Sequence, residues 1–261
     1  MSLFALRGEL TKQTQVVLEI AGFLCLLFLW WLVCLVGLVP PALLPSPGAV
    51  LAAIPELHFK DAMIRNLGYS MYLNLAGYIE AVLICVPIGF VIGLFPLFKG
   101  LFSRHVNAIR FIPLTAVTGL FIAWFGIENE MKIQFLAFGI IVYLLPVVVQ
   151  RVEGVEKVYQ QTAFTLGATS WQTIRTVFFP SVFSKLFDDI RVLVAISWTY
   201  IIVAEMVNKT GGIGAMLYSA ARQSRIDKVF ALLILIIVVG FLQDKIFKML
   251  DKKLFPYKHV G

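Results

Sequence analysis

Two carboxylic acids, Glu80 and Glu205, stand inside long apolar stretches, and their placement invites chemistry more than that of any other residue. A carboxyl group in hydrocarbon is costly, and it marks a solute pathway, a proton relay or a partnered anchor. Glu205 lies near the end of its stretch, shortly before Gly211-Gly212-Ile213-Gly214. It reads either as a hydrogen-bonded anchor for that glycine-rich turn or as part of a gate. Glu80 sits nearer mid-stretch beside Gly77 and Tyr78, where a paired structural role competes with a place on a pathway. Asn74, Ser197, Trp198 and Thr199 are polar groups suited to helix packing first and to lining a pathway second. The 211–214 run is not a dinucleotide fingerprint, because no strand precedes it and its glycine spacing is wrong. His58, His105 and His259 are far apart in sequence, and neither H-E-x-x-H nor G-x-S-x-G occurs. No catalytic or metal-binding constellation is therefore expected. A G-x-x-x-x-G-K-[ST] phosphate loop is also absent, so any ATP chemistry must come from another chain.

The elements that must hold these groups are set by composition. Of 261 residues, 60% are hydrophobic and 14% charged, with mean hydropathy +0.89. A soluble domain carries about 45–50% apolar and about 25% charged residues, so there are too few polar side chains here to cover one. Cys25, Cys34 and Cys85 lie in apolar runs, which excludes a disulfide-stapled secreted fold. A helical span needs about 20 mostly apolar residues. Six segments qualify, at 21–39, 68–95, 108–125, 133–149, 190–207 and 229–247. Their lengths favour helices over barrel strands, and Pro40-Pro41 is expected to end the first, which lacks a cleavage site and is read as retained. The sequence thus predicts a single all-α polytopic membrane domain over 1–261.

Six spans put both termini on one side. With the termini inside, the outer set is Lys60, Arg65, Lys132, Lys209, Arg222, Arg225 and Lys228, and the other 15 of the 22 Lys and Arg, from Arg7 to Lys258, are cytoplasmic. The positive-inside rule favours that orientation, so the net charge of +7 is mainly a topology signal. The basic residues are scattered over several loops, which argues against a nucleic-acid partner. Lys248, Lys252 and Lys253 are expected against anionic headgroups, and the segment 51–65 is expected to hold a short outer helix.

One long connection, 151–189, has a pattern of its own. Val155, Tyr159, Thr162 and Leu166 form an apolar stripe at helical spacing, and Gly167 is a permissive stop. Thr169 and Gln172 have the form of a capping box that restarts a helix at once. Trp171, Ile174, Val177 and Phe178 give the second helix an apolar face, and Pro180 is expected to end it. Such a helix–Gly–helix elbow suits either the membrane surface or a partner protein, since amphipathicity does not separate the two.

Here the residues carry a resemblance. Ala163, three residues, Gly167, nine residues, then Val177-Phe178-Phe179-Pro180 is similar to the E-A-A, three, Gly, nine, I-x-L-P loop of ABC importer permeases. Gln161 and Thr162 replace the first two letters, which removes a charge and leaves the elbow shape. Leu44-Pro45-Ser46-Pro47 with Val50 resembles the nitrate, sulfonate, taurine and bicarbonate branch of that family. Pro113, Ala116 and Trp124-Phe125-Gly126 resemble its third span, with Gly119 where many members have proline. Ala204-Glu205-Met206 and the 211–214 run resemble the end of its fifth span and the loop beyond.

The resemblance implies a type I ABC importer permease fold in the inner membrane. It implies a cytoplasmic ABC ATPase that binds ATP and Mg and docks on an elbow carrying Gln161, Ala163, Leu166, Gly167, Ala168, Trp171 and Pro180. It further implies an extracytoplasmic solute-binding protein, a second permease copy or a related one, and a small anion as solute, with surrounding lipid. Glu80, Asn74, Trp198 and Glu205 are the pathway or gate candidates. The competing expectation is a proton-coupled secondary transporter using Glu80 and Glu205, which leaves the elbow without a role.

Overall fold

The computed structural model describes residues 10–259; Arg7, counted among the cytoplasmic charges, lies outside them, as does the side chain of His259. Among the described residues every regular element is helical. The chain forms two compact units, one of residues up to Ala62 with Ser219–Leu233, the other of Met63–Tyr218 with residues from Ile234 on.

The first unit opens with α1, Lys12–Val36, capped by the Thr11 side chain. Gly37, at φ 70°, closes this helix ahead of Pro40-Pro41, because a left-handed glycine already satisfies the end of the ladder. None of the residues of α1 is buried. Trp30 donates to the Pro45 carbonyl at 3.0 Å and stacks on Phe230, ring centres 5.8 Å apart. The short helix expected in 51–65 is α2, Pro47–Phe59, which starts earlier because Ser46 caps it and Pro47 suits its first turn.

The second unit is built on α3 (Met63–Leu94), α6 (Asn129–Glu153) and α9 (Phe179–Asn208). Glycines on α3 let α6 approach closely. A Cβ at Gly89 would fall 2.6 Å from the Val148 Cβ, and one at Gly93 would fall 2.7 Å from the Val152 Cβ. These pairings rise together along both chains, so α3 and α6 run parallel. By contrast Arg151 meets Asp189, and Gly139 meets Tyr200, so α9 runs antiparallel to α6. Cys85, Ile140, Leu144, Val148 and Leu186 fill the shared core.

Parallel α3 and α6 require the chain to travel back along the bundle between them, and the third expected span must do this. It is not one straight helix over 108–125. Helix α4, Pro96–Ile109, stops at Arg110, and a 3₁₀ turn at Leu114–Val117 leads into α5, Thr118–Phe125. The two halves are bent by 94°. Pro113 is the cause: it has no N–H for the ladder and pushes the preceding residue out of helical geometry. Of the remaining spans, 133–149, 190–207 and 229–247 fall inside α6, α9 and the last long helix, α11 (Ile226–Leu254). The spans 21–39 and 68–95 overrun the ends of α1 and α3 by three residues and one, and each of these five helices is long and apolar enough to cross a membrane.

Candidate functional site

The elbow occupies one end of the second unit. Helix α7 is Lys157–Thr165, and Gly167 turns the chain at φ 81°, a conformation that side chains with a Cβ rarely adopt. Thr169 begins α8, Ser170–Thr173, with a complete capping box: its N–H donates to Gln172 Oε1 at 2.8 Å and its Oγ1 accepts from the Gln172 N–H at 3.3 Å. Pro180 does not end this helix. A π-helical stretch, Ile174–Phe178, joins α8 to α9, and Ser170–Val207 is one continuous helical span. The wider π turn rearranges the carbonyls ahead of Pro180, so its ring and missing N–H are accommodated at the start of α9.

Bidentate bonds from Arg151 to Asp189, at 2.6 and 2.7 Å, brace the helices that carry the elbow. Between the arms lies a groove of about 620 Å³ lined by Tyr159, Thr162, Ala163, Leu166, Val177 and Pro180, among others. The stripe on α7 is therefore not sealed. Leu166 is 82% and Trp171 71% exposed at the tip, while Ala163 and Ala168 are half-buried and Gln161 is exposed. Tyr257 also lines the groove, held there by Lys258, whose ammonium contacts Asp188 at 2.8 Å, Asp251 at 3.0 Å and the Ser184 carbonyl at 2.8 Å. Partial burial opposes the charge on Lys258, but those two carboxylates prevail and raise its pKa.

A second polar cluster gathers around Glu205 at the far end of α9. Its carboxyl oxygens accept from Ser70 Oγ at 2.7 Å and from the Gly214 N–H at 2.8 Å. Ser70 in turn accepts from the Ile213 N–H, and Asn66 Oδ1 accepts from the Gly212 N–H, both at 2.8 Å. Three consecutive amides at the start of α10, Ile213–Arg222, are thus satisfied by side chains. Gly212, at φ 93°, has no room for a Cβ, which would collide with the Glu205 carboxyl.

Beside this cluster Lys132, one of the charges counted in the outer set, is fully buried. It donates to Thr210 Oγ1 at 2.9 Å and Tyr69 Oη at 3.2 Å, and Tyr69 continues to Asn129. Nothing local in the sequence marks Ser70 as the partner of Glu205, or Asn66 and Lys132 as its neighbours, although Asn66 and Ser70 are an i, i+4 polar pair in an apolar run. The other candidates lie apart. Glu80 accepts from Gln134 at 3.1 Å, Asn74 accepts from Ser197 at 2.9 Å, and Trp198 donates to Gln243 at 2.6 Å.

The first unit carries an ion-pair network. Arg225 binds Glu56 and Asp227, each at 2.8 Å, and Lys228 reaches Asp61 at 2.6 Å and Glu56 at 3.1 Å. Hydrogen bonds from Arg225 and then Lys228 hold the Glu56 carboxyl down at about 2. Among the described residues no cluster of three or more His, Cys, Asp or Glu side chains could hold a metal.

Residues 85–256 match the family described as "Binding-protein-dependent transport system inner membrane component". The chain belongs to this family. It is 29% identical over 251 residues to the taurine transport system permease protein TauC of Escherichia coli (strain K12), covering 93% of this chain and 90% of that one. It is 27% identical over 231 residues to the putative aliphatic sulfonates transport permease protein SsuC of Bacillus subtilis (strain 168), covering 88% and 84%. The nitrate import permease protein NrtB of Synechocystis is 25% identical over 199 residues, covering 74% of this chain and 71% of that one. In fold, the chain is similar to an inward-facing structure of the MetNI methionine ABC transporter, with TM-score 0.67 at 16% identity, over 74% of this chain and 98% of that chain. An amino acid ABC transporter gives 0.58 at 18% identity, over 78% and 97%. The family member described here therefore has the type I importer permease fold and is a transport component of the inner membrane, a permease subunit of an ABC importer.

Proposed function

We propose that this permease forms half of a pathway for a small anion of the taurine, sulfonate, nitrate or bicarbonate kind. The observation that carries the reading is the elbow, a braced helical corner whose tip exposes Leu166 and Trp171 around an apolar groove. Exposed apolar area of this sort, rimmed by polar groups, is suited to a protein partner. A cytoplasmic ABC ATPase is the partner proposed, holding the ATP and Mg for which this chain has no phosphate loop. The elbow end is then cytoplasmic, with both termini on that side, and the Glu205 end faces an external solute-binding protein. A second copy of the chain, or a related permease, completes the pathway. Nucleotide binding would shift the elbow as a rigid body and bias which end is open. A proton relay through Glu80 and Glu205 has less support, because the two carboxyls share no hydrogen-bond partner.

The test is Gly167→Val in the assembled transporter in proteoliposomes. A β-branched residue at φ 81° distorts the corner, so ATP-driven uptake and solute-stimulated ATPase activity are expected to fall at least tenfold while assembly in the membrane persists. Full solute-stimulated ATPase activity in that variant would overturn the reading.

A further inference from the structure

The break between α4 and α5 carries a cation used by neither the elbow nor the Glu205 cluster. Arg110 caps the end of α4 and is exposed. Its guanidinium carbon sits 5.5 Å from the centre of the Phe111 ring, and among the described residues no carboxylate pairs with it. Its level in the bundle follows from its neighbours. Leu114, four residues on, packs against Gly139, a Cβ on which would lie 2.9 Å from the leucine side chain. Gly139 falls near the centre of the 25-residue helix α6. At about 1.5 Å per residue, that is roughly 15 Å from either face of a hydrocarbon core about 30 Å thick. An arginine at such a depth is tolerated where it faces a water-filled cavity or a counter-charge.

A cleft is present at that level. About 320 Å³ in volume, it is bordered by Arg110, Thr115, Tyr143, Thr199 and Tyr200, with Gly139 at its wall. This is at the small end of the range for small-molecule sites. The Tyr143 and Tyr200 rings lie nearly parallel, centres 6.5 Å apart at 18°. No carboxylate lines the cleft among the described residues, and Glu80 and Glu205 are hydrogen-bonded elsewhere. The chemistry assembled is one guanidinium fork, the hydroxyls of Thr115 and Thr199, the adjoining hydroxyls of Tyr143 and Tyr200, and aromatic rings that include Phe111 and Phe135. A planar fork matches two oxygens of a sulfonate or similar oxyanion, hydroxyls can donate to a third, and tyrosine faces can receive an ammonium at the other end of an amino-sulfonate.

We propose that Arg110, presented by the α4–α5 break, is the anion-binding group of a solute subsite midway through the bundle, taking a small sulfonate-class oxyanion. The proposal rests on the anion-importer reading above and narrows it to a place and a residue. An oxyanion could also be a lipid phosphate, so the test separates the two sources.

The experiment uses the full chain in phosphatidylcholine nanodiscs, needing neither ATPase nor binding protein. Cys25→Ser and Cys34→Ser remove the accessible thiols, and Val203→Cys, at an apolar position lining the cleft, provides a reporter there. The reporter is labelled with an anionic and with a cationic methanethiosulfonate. A nearby positive charge should favour the anionic reagent about tenfold. That preference should vanish in Arg110→Gln and persist in Arg110→Lys, and taurine or methanesulfonate should slow labelling only while the charge remains. The proposal is overturned if the reagent preference is the same in Arg110→Gln, if neither anion protects, or if neither reagent labels the reporter. It is equally overturned if phosphatidylglycerol nanodiscs abolish the preference and added taurine then changes nothing, because the occupant is then a headgroup. Failure of the Gly167→Val experiment leaves this one readable, and the converse also holds.

Discussion

Glu205→Ala gives a prediction whose size can be worked from the geometry. The substitution removes both acceptors of a buried carboxyl and leaves the Gly214 N–H and the Ser70 hydroxyl without it. Each buried donor deprived of its partner costs about 1–3 kcal/mol, so the first turn of α10 should loosen by about 2–6 kcal/mol. At about 1.4 kcal/mol per factor of ten, the Gly214 amide should exchange its hydrogen between about 30-fold and about 10⁴-fold faster. Glu205→Gln keeps one acceptor and supplies an N–H₂ that Ser70 can accept, so its loss should stay below about 1.4 kcal/mol, under about tenfold. Deuterium uptake over 212–222 in nanodiscs, followed by mass spectrometry, reads both, with 170–173 in the elbow as an unchanged internal control. The reasoning is refuted if Glu205→Ala exchanges within threefold of the unsubstituted chain, or if the Gln variant is as fast as the Ala variant.

Two further outcomes are expected. Gly89→Leu drives a side chain into Val148 where α3 and α6 pack closely, and overpacking of this kind costs about 1–3 kcal/mol. Its thermal midpoint in detergent should drop by several degrees and Gly89→Ala by less; an unchanged midpoint for Gly89→Leu excludes the close parallel packing. Glu56 supplies a pH test. Its folded-state pKa, about 2, lies below the ordinary 4.5, so the stability contributed by the ionised group is complete above about 4.5 and is lost as pH falls towards 2. The gap in thermal midpoint between the unsubstituted chain and Glu56→Gln should therefore stay constant from pH 8 to 5 and narrow below about 4.5. A gap that narrows between pH 8 and 6 would contradict the network.

Much of the elbow was legible because its signals are local. A stripe at helical spacing, a glycine and a capping box act over three or four residues, and Gly167, Thr169 and Gln172 adopt the geometry their types favour. Pro180 departs from its local signal for a related reason: a proline stops a regular α-helix, but the π turn before it is a register change that packing selects. The bend at Pro113 had a local signal too, yet hydropathy averages over it and reports one span. Gly89 and Gly93 form a small-xxx-small pair on α3, a signature of close helix contact present in the sequence but silent about its partner.

The amino-acid sequence by itself determined that lipid is the solvent, where the apolar helices lie and where the elbow turns. Composition and periodicity suffice for those, since burial in hydrocarbon and helix capping depend on neighbours along the chain. Only the tertiary structure decided that Lys132 is buried, that Arg110 borders one cleft with Gly139 of α6, and that Glu205 ties down α10. The contacts from Ser70 to Glu205 and from Asn66 and Ser70 to the 212–213 amides span 135 to 146 residues. Pairings at that separation follow from which helices pack together and in what register, and no local pattern encodes it.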